Sequence, residues 1–188
     1  MTIEQIKNAS LGNWESIAVE VRPGSIKTAD GSLKPFYLIR NFTLLSDDKF
    51  ELIITNYTDP FGKIALAKMS IKGHIEWRGE HPIASSAQKV DFFADEEYKV
   101  TPLIQGFEDL LNKYTKGFKE WKIGESQSIF KKAFEPFGLL EGQIFKEYDL
   151  IYVFNDMMFW GARNVDGRGF DTEENRPTNL QIPMVRQK

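Results

Sequence analysis

Apolar and polar residues alternate along most of this chain, and that spacing predicts strands. In KPFYLIRNFTLL, Phe36, Leu38, Arg40, Phe42 and Leu44 share one face, while Tyr37, Ile39, Asn41, Thr43 and Leu45 share the other. SDDK turns the chain into FELIITNYTD, so 36–58 reads as a hairpin that closes at Pro60 and Gly62. KIALAKMSIKGHIEW supplies one or two further strands, and AQKVDFFADEEYKV another, with a bulge expected where Asp91, Phe92 and Phe93 break the alternation. QIFKEYDLIYVF turns at Asn155 and Asp156 into MMFWGA, and TNLQIPMVR is the last strand.

The period changes to that of a helix twice. TPLIQGFEDLLNKY offers Thr101 as N-cap, Pro102 at the first helical position, and a stripe of Leu103, Phe107, Leu110, Leu111 and Tyr114. SQSIFKKAFEPFG repeats the spacing with Ile129, Phe130, Ala133, Phe134 and Phe137, stopping near Pro136 and Gly138. No repeat or long linker divides the chain, so residues 1–188 are expected to form a single domain. The fold class is mainly β (α+β): an antiparallel β-barrel, closed at least in part, with two amphipathic helices packed on it.

Composition narrows the partners. The 24 Lys and Arg nearly balance the 27 Asp and Glu, which gives no footing for a nucleic-acid or membrane-surface partner. There is no cysteine, so no disulfide framework, thiolate metal site or cysteine nucleophile is possible. MTIEQIKNAS has no apolar core of a signal peptide, and no later stretch approaches the ~18 apolar residues of a membrane span. A cytoplasmic protein without stable membrane insertion is the expectation. Aromatic residues make up 13% of the chain, fifteen of them Phe, enough to line a core or a cavity.

The candidate chemistry centres on arginine. Arg40 stands mid-strand among Phe36, Leu38, Phe42 and Leu44, and a guanidinium on a buried face must be paired. Its partner is either an internal carboxylate, with Glu20, Glu51 or Glu76 available, or the carboxylate of a bound molecule. Arg22, between Glu20 and Pro23, has the same two readings. Trp160 stands between Phe159 and Gly161, where the glycine leaves space beside a pocket wall. His74 and His81 are the only histidines, and GHIEWRGEHP has no metal-ligand pattern. The loop with Asp166, Asp171, Glu173 and Glu174 lacks the spacing of a calcium loop. No G-x-S-x-G elbow or phosphate-cradling Gly-rich loop occurs, so hydrolase and nucleotide-binding readings lose their usual support. Neither metal nor cofactor is expected.

Several segments, read together, resemble the adenomatosis polyposis coli down-regulated domain, found in an animal Wnt antagonist and related bacterial proteins. They are GNWESIAVEVRPG, YLIRNFTL, FELIITNYTDP, GHIEWRGEHP and RPTNLQIPMVR. The most specific pieces are the Glu20 to Gly24 run, the strand around Arg40, Tyr57-x-Asp59, Arg176-Pro177-Thr178 and Gln181-x-Pro183. The resemblance implies a lipocalin-like or calycin-like barrel with an apolar pocket, which in the animal protein is thought to receive lipid. It also implies that Trp14 caps the barrel floor under a late-strand arginine, Arg186 or Arg176. Val19 stands where animal members carry cysteine, and SIKTADGSLK is inserted after Gly24, as a hairpin tip or a flap over the barrel mouth.

Two functional classes follow. One is noncatalytic binding of a small hydrophobic or amphipathic molecule such as a fatty acid, with Phe36, Leu38, Arg40, Phe42, Arg22, Tyr57 and Trp160 as ligand-binding residues. The other is a calycin-type enzyme, an isomerase, cyclase or decarboxylase, using Tyr, Glu and Arg on a hydrophobic substrate. A greasy cavity with one cationic end favours the binder, and two or more facing ionisable groups favour the enzyme.

Overall fold

The computed structural model describes residues 2–83 and 85–188. Ten strands form one antiparallel sheet: β1 (Gly12–Ser16), β2 (Glu20–Lys27), β3 (Leu33–Leu44), β4 (Lys49–Tyr57), β5 (Ala65–Glu80), β6 (Gln88–Pro102), β7 (Gln127–Ser128), β8 (Lys146–Phe154), β9 (Met157–Trp160) and β10 (Met184–Arg186). The hydrogen-bonded order runs β1, β10, β9, β8, β6, β5, β4, β3, and β1 also pairs with β3, so the pairing returns on itself. β2 extends the pairing of β3 beyond the end of β1.

The alternation in β3 translates directly into burial. Leu38, Arg40, Phe42 and Leu44 are buried on its inward face. The hairpin at 36–58 forms, with Asp47 and Asp48 both at positive φ in its turn. KIALAKMSIKGHIEW is one strand, not two. The bulge falls later than expected: Lys72 pairs with Glu97 and His74 with Phe93, leaving 94–96 opposite Gly73. A Cβ at Gly73 would collide with the carbonyl oxygen of Phe93, so the close approach requires glycine. The segment 25–34 is a hairpin tip, in which Asp30 accepts from Ser32 N–H at 3.0 Å.

The helices differ from the expectation. α1 (Ile3–Ser10) lies in the opening segment, where a capping box joins Thr2 and Gln5, and Ile6 is buried. α2 (Gln105–Tyr114) begins later than Thr101, because Thr101 and Pro102 stay in β6, paired with Lys68 and Ala67. Of its stripe, Leu111 is fully buried and Phe107 packs on the core, but Leu110 and Tyr114 are exposed. The second expected helix, 126–138, does not form. Gln127 and Ser128 pair with β6 as β7, Lys131 turns at φ 56°, and only Glu135–Phe137 makes a single 3₁₀ turn.

Trp14 is 1% exposed and lies directly opposite Arg186 in the β1–β10 pair. The guanidinium stacks 4.1 Å from the ring centroid and donates to the carbonyls of Leu11 and Ala9 at 2.5 and 2.7 Å. The indole N–H donates to Ser10 O at 2.7 Å, so one stacked pair ties α1, β1 and β10 together. Arg176 has a different role. It binds Asp91 at 2.6 Å, Glu173 at 2.6 Å, and the carbonyls of Val90 and Asp149, both at 2.8 Å.

Candidate functional site

The pattern that buries one face of each strand also leaves a cavity of about 670 Å³ inside the ring. Phe36, Leu38 and Phe42 of β3, Phe50, Leu52 and Ile54 of β4, Met69 and Ile71 of β5, and Phe92 and Tyr98 of β6 make its apolar walls. Phe42, Phe50 and Phe92 pack edge-on or tilted at 5.2–5.6 Å between centroids. At another end stand Phe137 and Phe145, both packed on Tyr98. Burial raises the Tyr98 phenol and keeps it neutral.

Facing this hydrocarbon is a group of charges. Glu20 lies between two arginines: Arg22 donates to its Oε2 from Nε at 3.0 Å and Nη2 at 2.7 Å, and Arg40 Nε donates to Oε1 at 2.9 Å. Ser16 Oγ donates to Oε1 at 2.7 Å. Burial alone would raise the Glu20 carboxyl, but the Arg40 and Arg22 cations and the serine bond outweigh it and bring it down to about 2. The sequence left Arg40 between an internal carboxylate and a ligand. Glu20 takes its Nε, while Arg40 Nη2 is buried without a hydrogen-bond partner among the described residues, and Arg40 lines the cavity.

Residues from β8 and the loop after β9 complete the group. Glu147 and Asp149 alternate on β8 so that both line the cavity. Asp149 is 2% exposed; its Oδ1 accepts from the N–H groups of Leu150 at 2.7 Å and Gly161 at 2.9 Å. Burial, then the neighbouring Glu147 charge, push the Asp149 carboxyl up to about 7, against the opposing pull of Arg40. Glu147 keeps some accessible surface, which it presents to the cavity, and burial raises its carboxyl too, against Arg22, Arg40 and Arg163. Arg163 donates to Gly167 O at 2.9 Å and lies over Phe36, while its Nε is buried and unpartnered among the described residues.

Of the expected ligand residues, Phe36, Leu38, Arg40, Phe42 and Arg22 are brought together on this cavity. Tyr57 lies outside the lining, at the far end of β4 near Gly62. Trp160 stands behind it, stacked on Phe42 at 4.4 Å, with its N–H 2.7 Å from Met184 Sδ and Arg40 over its face at 5.4 Å. Gly161 does not leave space beside that ring, since Pro177 and Asp149 fill the room a Cβ would need. Glu147, Asp149 and Arg163 were missed. In KEYDLIYVF the two acids share a face with Ile151 and Val153, and a carboxylate in the register of buried aliphatics was the available signal.

Among the described residues no cluster of His, Cys, Asp and Glu could hold a metal ion, and no helix is long and apolar enough to cross a membrane. No family model matches the chain, and no curated protein matches it.

Proposed function

We propose that the ring of strands is a lipocalin-like, calycin-type barrel, as the resemblance to the adenomatosis polyposis coli down-regulated domain implies, and that it binds a small amphipathic acid without transforming it. The Trp14–Arg186 stack and the return of the pairing through β1 support the barrel. The observation that carries the ligand is the pair of buried guanidinium N–H groups without a partner among the described residues, Arg40 Nη2 and Arg163 Nε, on residues lining a cavity that sets Phe, Leu, Ile and Met walls against a charged group. An unmade bond from a buried cation costs more than an unmade neutral one, and a ligand carboxylate supplies it. The tail adds roughly 25 cal/mol per Å² of apolar surface removed from water. The cavity volume, about 670 Å³, suits a small molecule.

Calorimetric titration of dodecanoate against dodecanol tests this reading. The acid should bind saturably and at least about tenfold tighter, a difference of ~1.4 kcal/mol. Arg163→Gln should reduce that preference while leaving the alcohol's affinity in place. Arg40→Met is a poorer probe, because it leaves Glu20 short of a partner in the interior. Equal affinity for acid and alcohol in the unmodified protein contradicts the reading.

A second reading has its own observation: facing ionisable groups, with Asp149 poised near neutrality beside Glu147. It makes the cavity the site of a proton-transfer isomerase, with Asp149 as base and the arginines as anchor. Incorporation of solvent deuterium into a bound acid separates it from the binder.

A further inference from the structure

We propose that the acid enters this cavity together with a proton, which the Glu147–Asp149 pair holds while the ligand carboxylate sits on the arginines. The inference rests on the reading of the cavity as an acid site and concerns how that site is regulated.

Charged groups gather around Asp149 from several elements. Arg22 and Glu20 come from β2, Arg40 from β3, Arg163 from the loop after β9, and Glu147 from Asp149's own strand. Arg176 reaches Asp149 from behind, through the backbone carbonyl, and its charge is already met by Asp91 and Glu173. Lys146 pairs with Asp91 at 3.1 Å, and Asp171 is exposed to water. The interior set is therefore Arg22, Arg40 and Arg163 against Glu20, Glu147 and Asp149. With every group ionised the two sides cancel. A ligand carboxylate adds one negative charge to a desolvated site, and like charges in such a site drive a proton onto the weakest acid.

Glu20 is not that acid, because it bonds both arginines and Ser16. Glu147 and Asp149 are alternate residues on one strand face, so their charges oppose each other. Backbone N–H groups occupy Asp149 Oδ1, leaving Oδ2 to take the proton. The group already titrates close to neutrality, so uptake falls in an accessible range. Because the bound state holds more protons than the free state, affinity for the acid falls as pH rises through the free-state pKa, about 7.

Calorimetry of dodecanoate binding in two buffers of different ionisation enthalpy reads the number of protons taken up. At a pH about one unit above the Asp149 pKa, binding should take up between about half and one proton. Uptake should disappear well below that pKa, where the pair is already protonated. Dodecanol should take up none, and Asp149→Asn with Glu147→Gln should bind dodecanoate with no uptake and no fall in affinity over the same range. Acid binding without proton uptake in the unmodified protein overturns the coupling and leaves the acid site standing. Absence of dodecanoate binding overturns both. The proton count comes from the unmodified chain, so a variant that fails to fold does not remove the test.

Discussion

Glu20 and Asp149 face the same arginines, yet their surroundings drive them apart. Glu20 makes bonds to Arg22, Arg40 and Ser16 and is held near 2, while Asp149 gives up one oxygen to backbone N–H groups and shares its strand face with Glu147. The lowered Glu20 pKa contributes stability that is complete above about 4.5 and is lost as pH falls towards 2. Asp149 has the opposite sign. Its raised pKa favours the folded state below about 3.8, and that advantage is lost as pH rises through about 7. Asp149→Asn should therefore stabilise the protein above neutrality, by on the order of 2–4 kcal/mol, since each tenfold change in proton affinity is worth ~1.4 kcal/mol, and do little in mild acid. Melting temperatures on both sides of pH 7 check it; the same difference at both contradicts the assignment. At this scale the sequence singled out Arg40, because a cation among Phe36, Leu38, Phe42 and Leu44 demanded a partner, and offered Glu20 beside Glu51, Glu76 and a ligand carboxylate; the fold selects Glu20 for its Nε. It did not yield Arg163, whose glycine-rich, charged loop reads as solvated until the fold lays it over Phe36.

Elements were legible in proportion to how directly their pattern reports burial. In a strand the period of two puts every second residue inside, so β3 and β4 and the turn between them could be read from alternation alone. Helical spacing is a weaker witness. Ile129, Phe134 and Phe137 stand at helix-like intervals, but β8 pairs with β6 only over 88–93, and the free edge at Lys99 and Val100 is taken by Gln127 and Ser128. Pairing with that edge and the left-handed turn at Lys131 outcompete the helix. The aromatic residues still pack, Phe134 on Phe137 at 4.9 Å, without helical geometry. The Thr2 and Gln5 capping pair was the overlooked sign of α1. For α2 the structure shifts the sensitive position. Leu111→Asp should lower the melting temperature by more than about 10 °C, because it buries an unpaired charge, whereas Leu110→Asp should cost little. Equal losses at the two positions would contradict the orientation of the helix.

In the whole molecule, one end of the sheet is tied off by Arg186 on Trp14 and α1, and the other carries the hairpin tip of β2 and β3. Between them the aromatic group of Phe42, Phe50, Phe92 and Trp160 supports the cavity beside Arg40, while Phe137 and Phe145 meet it from the side of Tyr98. The cavity is thus polarised, with charged groups from β2, β3, β8 and the loop after β9, and hydrocarbon from β3, β4, β5 and β6. Strand alternation foretold the apolar wall. The charged one depended on bringing β2, β8 and residues 161–171 together, which spacing within a strand does not encode. Polarity predicts not only that an acid binds but which way round it lies. A crystal structure with an alkanoic acid brominated at its chain end reads that directly. The carboxylate should lie within hydrogen-bond distance of Arg40 Nη2 and Arg163 Nε, with the bromine peak among Phe50, Leu52 and Ile71. A bromine peak beside the arginines, or a ligand lying outside the cavity, would contradict it.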